Sequence, residues 1–177
     1  MDIAQSARRV ALRYTARRVA AQKLALWSGE DVPTEEMLQN LLAYLRALHF
    51  CHWTAHWQAK GDPQYGDHLL FERLYSGVTD EIDALAEKLV SGYGASAVNA
   101  AVQSHLMDRL VAMATDAVPD DLFRRALFME DALQDALKAI FEEIESRSEL
   151  SLGMNDFLAA MANTHETHQY LLRQRTR

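Results

Sequence analysis

The chain has 177 residues, 49% hydrophobic and 24% charged, a length and balance that fit one folded domain and exclude a disordered, collagen-like or disulfide-stapled chain. No apolar run reaches the roughly 18 residues of a membrane span, and the single Cys51 leaves no internal disulfide and fits a reducing, cytoplasmic setting. The formal net charge of −7 averages two unlike parts: residues 1–23 hold six bases and one acid, the remainder 12 bases and 24 acids. With only 7 Gly and 3 Pro and almost no runs of Val, Ile and Thr, the sequence predicts an all-α protein.

In chain order, the first expected helix spans roughly 3–28, with Arg8, Arg9, Arg13, Arg17, Arg18 and Lys23 around most of its circumference. This acid-poor start shares a feature with transit peptides; the reading adopted is a retained basic segment, residues 1–30, ahead of one domain over 31–177. A second helix starts at Thr34, placed as an N-cap before Glu35 and Glu36, and carries Leu38, Leu41, Leu42, Leu45 and Leu48 on one stripe. Further helices are expected at about 66–91, 97–116, 120–147 and 154–173. In the helix at about 120–147, Phe123, Leu127, Leu133, Leu137, Ile140 and Ile144 form the apolar face. Four long amphipathic helices with brief connections predict a four-helix bundle, with a short helix in the middle crossover and an extra basic helix in front.

His49, His52 and His56 follow one another at i, i+3 and i+7, along one helix face where the leucine stripe ends. On the next helix, His68, Glu72, Asp83 and Glu87 fall at azimuths of about 0°, 40°, 60° and 100°, so all four share a face. The pairs His68/Glu72 and Asp83/Glu87 nevertheless sit roughly 22 Å apart along the axis, too far for one ion. A second copy packed antiparallel across a two-fold axis brings one pair of each chain to the other pair of its mate and makes two identical sites per dimer. Mixed imidazole and carboxylate donors suit iron, manganese or zinc; the alternative is an ordinary solvated helix face. Glu-x-x-His, the motif of metal sites held inside one bundle, occurs nowhere in the sequence, so a site within the bundle is not expected.

The segment His56-Trp57, Lys60-Gly61, His68, Glu72, Asp83, Ala86-Glu87 resembles the ferroxidase signature of the Dps proteins, the mini-ferritins that protect DNA during starvation, with intervals of twelve, four, eleven and four between ligands. The run His165-Glu166-Thr167-His168-Gln169-Tyr170-Leu171-Leu172-Arg173 also looks like that family's last helix, so the resemblance covers roughly 35–175. It implies a ferritin-like fold, a dodecameric shell, and an iron site at the two-fold interface with His56, His68 and Glu72 from one subunit and Asp83 and Glu87 from its mate. It further implies oxidation of Fe²⁺, with hydrogen peroxide generally preferred over oxygen, and storage of ferric mineral in the cavity. Trp57 would by the same resemblance intercept stray oxidising equivalents, or else pack at a subunit contact.

Two features depart from the commonest family pattern. Glu72 stands where Asp is frequent, and the leading segment is long and arginine-rich where many members have a short lysine-rich tail. Arg8, Arg9, Arg13, Arg17, Arg18 and Lys23 are the candidate DNA contacts, the alternative being a helix packed on the shell, and DNA compaction is the competing function. His52, with His49, is a candidate secondary iron position or an orienting group, the alternative being a structural role for each, and Trp57 is the other candidate at a secondary position. His165 and His168 are expected at the surface or facing the cavity, the acids of 130–149 at pores or the cavity lining, and Gly77 at a close helix contact within the bundle.

Overall fold

The computed structural model describes residues 32–61 and 63–176. The expected basic helix, with Arg8, Arg9, Arg13, Arg17, Arg18 and Lys23, lies outside the described residues. Five α-helices follow: α1 (Thr34–Gln58), α2 (Gln64–Tyr93), α3 (Ala100–Ala117), α4 (Leu122–Ser146) and α5 (Leu152–Arg175), with a 3-10 turn at Ala95–Val98 before α3. No strand occurs among the described residues. Each boundary lies within a few residues of the sequence expectation, because breakers and caps fall between the apolar stripes. Asn99, Asp121 and Ser151 each accept backbone N–H bonds at the start of α3, α4 and α5. Gly61 and Gly94 take positive φ of 99° and 88° at the two ends of α2, conformations an L side chain disfavours.

One start differs. Thr34 is the first helical residue of α1, preceded by Pro33, and makes no capping bond. Its hydroxyl donates instead to the Glu149 carboxylate, tying the start of α1 to the turn between α4 and α5.

Brief turns join α1 to α2 and α4 to α5 into two helical hairpins, and α3 lies in the long crossover between them, packed on α1 and α4. Leu41, Leu42, Leu45 and Leu48 of the α1 stripe are fully buried against Leu85 and Leu89 of α2 and Leu133, Ile140 and Ile144 of α4. At about 1.5–3 kcal/mol for each such side chain, this stripe supplies the main drive to assemble the bundle. Tyr44 Oη donates to the Met129 carbonyl at 2.9 Å, a buried cross-link from α1 to α4.

The core is divided. Ala55, Ala59, Phe71, Leu74, Ala126 and Leu172 form a second apolar cluster at the end of the bundle that holds the α1–α2 turn. Between it and the main core lie His52, Glu130, His165 and His168, all buried. Gly77 does not serve the close helix contact expected of it: it is exposed, and a Cβ built there meets no atom within 4 Å. No described helix is long and apolar enough to cross a membrane.

Candidate metal centres

His56 lies in the last turn of α1 and His68 near the start of α2, and the connecting turn at Gly61 folds them together. Their rings stack with centroids 3.5 Å apart and planes inclined by 25°. His56 Nδ1 lies 2.9 Å from the His68 carbonyl, and His68 Nδ1 lies 2.9 Å from the His56 carbonyl. A carbonyl only accepts, so both Nδ1 atoms carry the proton, and in the neutral rings both Nε2 lone pairs are free to bind a metal. Tyr75 meets the His56 ring edge-on at 5.4 Å.

Glu72, Asp83 and Glu87 are exposed in the subunit, all on the continuous helix α2. The fifteen residues from His68 to Asp83 put the two ends of the ligand set roughly 22 Å apart along that helix. The chain thus brings His56 and His68 together and leaves Asp83 and Glu87 at the far end, facing solvent. Trp57 is 63% exposed and packs on Trp53 at 4.9 Å between ring centroids. Tyr65 and Leu69, on the first turns of α2, are also exposed.

His52 is not beside this pair of histidines. It is 1% exposed and turns into the bundle, where its Nε2 lies 2.9 Å from Glu130 Oε1. Contrary to the expectation of surface or cavity-facing positions, His165 and His168 are buried too, and Glu130 is a core residue rather than a pore or cavity acid. His165 Nδ1 lies 2.5 Å from Glu130 Oε2, and its Nε2 lies 2.9 Å from Glu81 Oε2. His168 Nδ1 lies 3.3 Å from Glu130 Oε1, but not in line for a hydrogen bond. The potential donor atoms of Glu130, His165 and His168 all fall within 4.8 Å of one another. A histidine and carboxylate cluster therefore does form inside a single bundle, although Glu-x-x-His is absent. It draws on α1, α2, α4 and α5, with His-x-x-His on α5 providing the i, i+3 pair.

The charges of the cluster are coupled. Burial alone would raise the Glu130 carboxyl, but the imidazoles of His165, His168 and His52 around both its oxygens hold it well below the usual range. Burial pulls the His165 imidazole down, and the hydrogen bonds and charges of Glu130 and Glu81 outweigh it, holding it up at about 9. For His52 burial wins, and its pKa is lowered despite the bond to Glu130. An imidazolium thus sits between two carboxylates at the centre of the bundle.

The sequence signal for this cluster was present in two forms. His165 and His168 are spaced to share a helix face, and Glu130 interrupts an apolar stripe between Met129 and Leu133. Neither form is the Glu-x-x-His pattern.

No family model matches the chain, and no curated protein does. Among solved structures, a Dps1 mutant from Mycobacterium smegmatis is similar, with a TM-score of 0.60 and 19% identity, over 81% of this chain and 95% of that one. Two helical hairpins joined through a crossover helix, matched to 95% of that chain, give this chain the fold of that structure, a ferritin-like helical bundle.

Proposed function

We propose that the protein is an iron-oxidising mini-ferritin whose reaction site is completed between two copies of the chain. His56, His68 and Glu72 of one copy and Asp83 and Glu87 of its mate take up Fe²⁺ as substrate, and the ferric product is stored in a shell of twelve subunits. The observation that carries this reading is the paired stack of His56 and His68, with both Nδ1 atoms tied to backbone carbonyls. That arrangement fixes two imidazoles with Nε2 as the binding atom, the preorganisation a metal site requires. The exposed carboxylates on the same helix supply the other half when α2 of a second copy runs antiparallel beside it. Exposed Trp57, Trp53, Tyr65 and Leu69 around the histidines are the kind of apolar surface that a second copy covers.

The division of labour follows from charge. Neutral imidazoles admit Fe²⁺ without fixing its charge, while Glu72, Asp83 and Glu87 favour the ferric state electrostatically and so pull the oxidation forward. Each peroxide takes one electron from each of two Fe²⁺ ions, together with two protons, and leaves as two waters; no hydroxyl radical is released. Oxygen is the competing oxidant.

The test is the rate of Fe²⁺ oxidation by the purified assembly, held anaerobically and triggered with either peroxide or oxygen. Oxidation well above the rate for free iron, with ferric iron retained in the large particle and the rate lost in a His68→Asn, Asp83→Asn variant, is the expected result. No acceleration over free iron would overturn the reading. DNA compaction, the competing reading, has its basis in residues 1–23, outside the described residues.

A further inference from the structure

The cluster at the centre of the bundle is chemically unlike its surroundings. Apolar layers lie on both sides of it, with Leu48, Leu133 and Met161 in the main core and Phe71, Leu74 and Leu172 beyond. Removing a carboxylate and three imidazoles from water costs several kcal/mol per ionised group unless their charges and lone pairs are matched. In the subunit alone the match is incomplete, because His168 Nδ1 is buried, faces Glu130, and makes no hydrogen bond. Glu130 and His168 stand as two ligands of one cation do, close together and not hydrogen-bonded to each other.

We propose that Glu130, His165 and His168 bind a single divalent first-row transition-metal cation inside each subunit, at a site separate from the one between subunits. Bonds of roughly 2.0–2.2 Å from a metal to nitrogen and oxygen donors are compatible with three donor atoms that all lie within 4.8 Å of one another. Glu81 accepts from His165 Nε2, which leaves Nδ1 toward Glu130 as the ligating atom once the cation displaces the proton between them to solvent. A carboxylate behind a histidine is the usual device for fixing a metal ligand. His52 holds Glu130 from α1 through its Nε2. The two carboxylates balance the charge of a divalent cation, and the lack of any thiolate among the donors selects manganese, iron, cobalt or zinc over softer ions. This cation is held by the fold of one subunit and shares no ligand with the site between subunits.

The experiment uses the full chain as its native assembly, stripped of metal, with Co²⁺ as the probe because its visible absorption reports coordination. A background of His68→Asn and Asp83→Asn silences the site between subunits. In that background about one Co²⁺ per chain is expected to remain bound against a weak chelator, with visible bands of a nitrogen and oxygen site. Adding His168→Gln is expected to abolish it. His168 Nδ1 also lies 3.3 Å from Glu130 Oε1 and helps hold that carboxylate charged, so a far-UV spectrum and the size of the assembly check that this variant folds. Glu81→Gln, which keeps every ligand and loosens only the orientation of His165, is expected to weaken Co²⁺ about 10- to 100-fold. No Co²⁺ retained in the background variant, or an unchanged affinity and spectrum after His168→Gln, overturns the proposal. Iron oxidation by the unmodified assembly tests the inter-subunit reading separately, so either can fail alone.

Discussion

The rings of His56 and His68 stack 3.5 Å apart, and each residue's Nδ1 bonds the other's backbone carbonyl. The pair therefore does two things: it clasps the end of α1 to the start of α2, and it presents two Nε2 atoms side by side. Substitutions separate these roles. His68→Asn keeps an N–H close to the place of Nδ1 and removes Nε2, whereas His68→Ala removes both. Both variants are expected to lose fast Fe²⁺ oxidation, but only His68→Ala should lose stability as well, by about 1 kcal/mol for the hydrogen bond. Stopped-flow oxidation and thermal unfolding of the same two proteins check this; wild-type oxidation by His68→Asn would remove His68 from the site.

The separation of His68 from Asp83 along α2 makes a prediction about mixtures. A variant carrying only His68→Asn and one carrying only Asp83→Asn are each expected to be inactive, because every site in either lacks one ligand. Within a mixed dimer, one site carries both substitutions and the other carries neither. Random reassembly of equal amounts should then restore about a quarter of the sites. Dissociation, mixing, reassembly and an oxidation assay measure it. Recovery absent from a properly reassembled mixture would show that the ligands come from one chain.

Helix positions and the bundle were readable because apolar period, caps and breakers agree locally: the stripe Leu41, Leu42, Leu45 and Leu48 is buried as expected, and Gly94 and Asn99 end and start helices where the period breaks. That His56 and His68 belong together was implied by the family resemblance, and one tight turn brings the two rings into contact. The interior cluster was not, since its members come from four helices and meet only through tertiary packing. Glu130 interrupts the apolar stripe but stands beside Asp131 in the run Met129-Glu130-Asp131, and only the packing of α4 against α5 decides that it faces inward while Asp131 pairs with Arg173 outside. Gly77 shows the same limit from the other side, because azimuth about one helix does not say which of its faces the bundle covers.

Cys51 lies on α1 beside His52, and burial pushes its thiol up to about 11, with Arg125 opposing only in part. The thiolate is the reactive form, so at pH 8 almost none is present. Alkylation of the native assembly at pH 8 is expected to be far slower than that of the unfolded chain, and to accelerate as pH approaches 11. Mass spectrometry of timed samples gives the rates. Equal rates for native and unfolded protein at pH 8 would show that the thiol is neither buried nor raised.

Arg175, in the last turn of α5, reaches the start of α2, where its Nε and one terminal nitrogen meet the two oxygens of Asp67 at 2.8 and 3.0 Å. Asp67 is buried and adjoins His68, and the guanidinium also lies 4.6 Å from the centre of the Phe123 ring. Removing the arginine leaves a buried carboxylate without its partner. Because the arginine itself is partly exposed, Arg175→Ala should cost about 1–2 kcal/mol rather than the full value of a buried pair. Arg175→Lys, which cannot grip both oxygens, should fall between. Chemical denaturation measures both; a wild-type midpoint for Arg175→Ala would show that the clasp contributes nothing.

The same pairings bear on DNA. Arg173 and Arg175 are engaged with Asp131 and Asp67, so the basic end of α5 has little charge to offer phosphate. Residues 24–177 carry 12 bases against 24 acids and repel a polyanion, while residues 1–23 carry six bases against one acid. Binding through that segment should be electrostatic, indifferent to sequence and steeply weakened by salt, because each neutralised phosphate releases counterions. The full chain is expected to retard DNA at low salt and release it as salt rises, and the chain lacking residues 1–23 should not retard it at any salt. Equal retardation by both would mean that the acidic body supplies the contact despite its net negative charge.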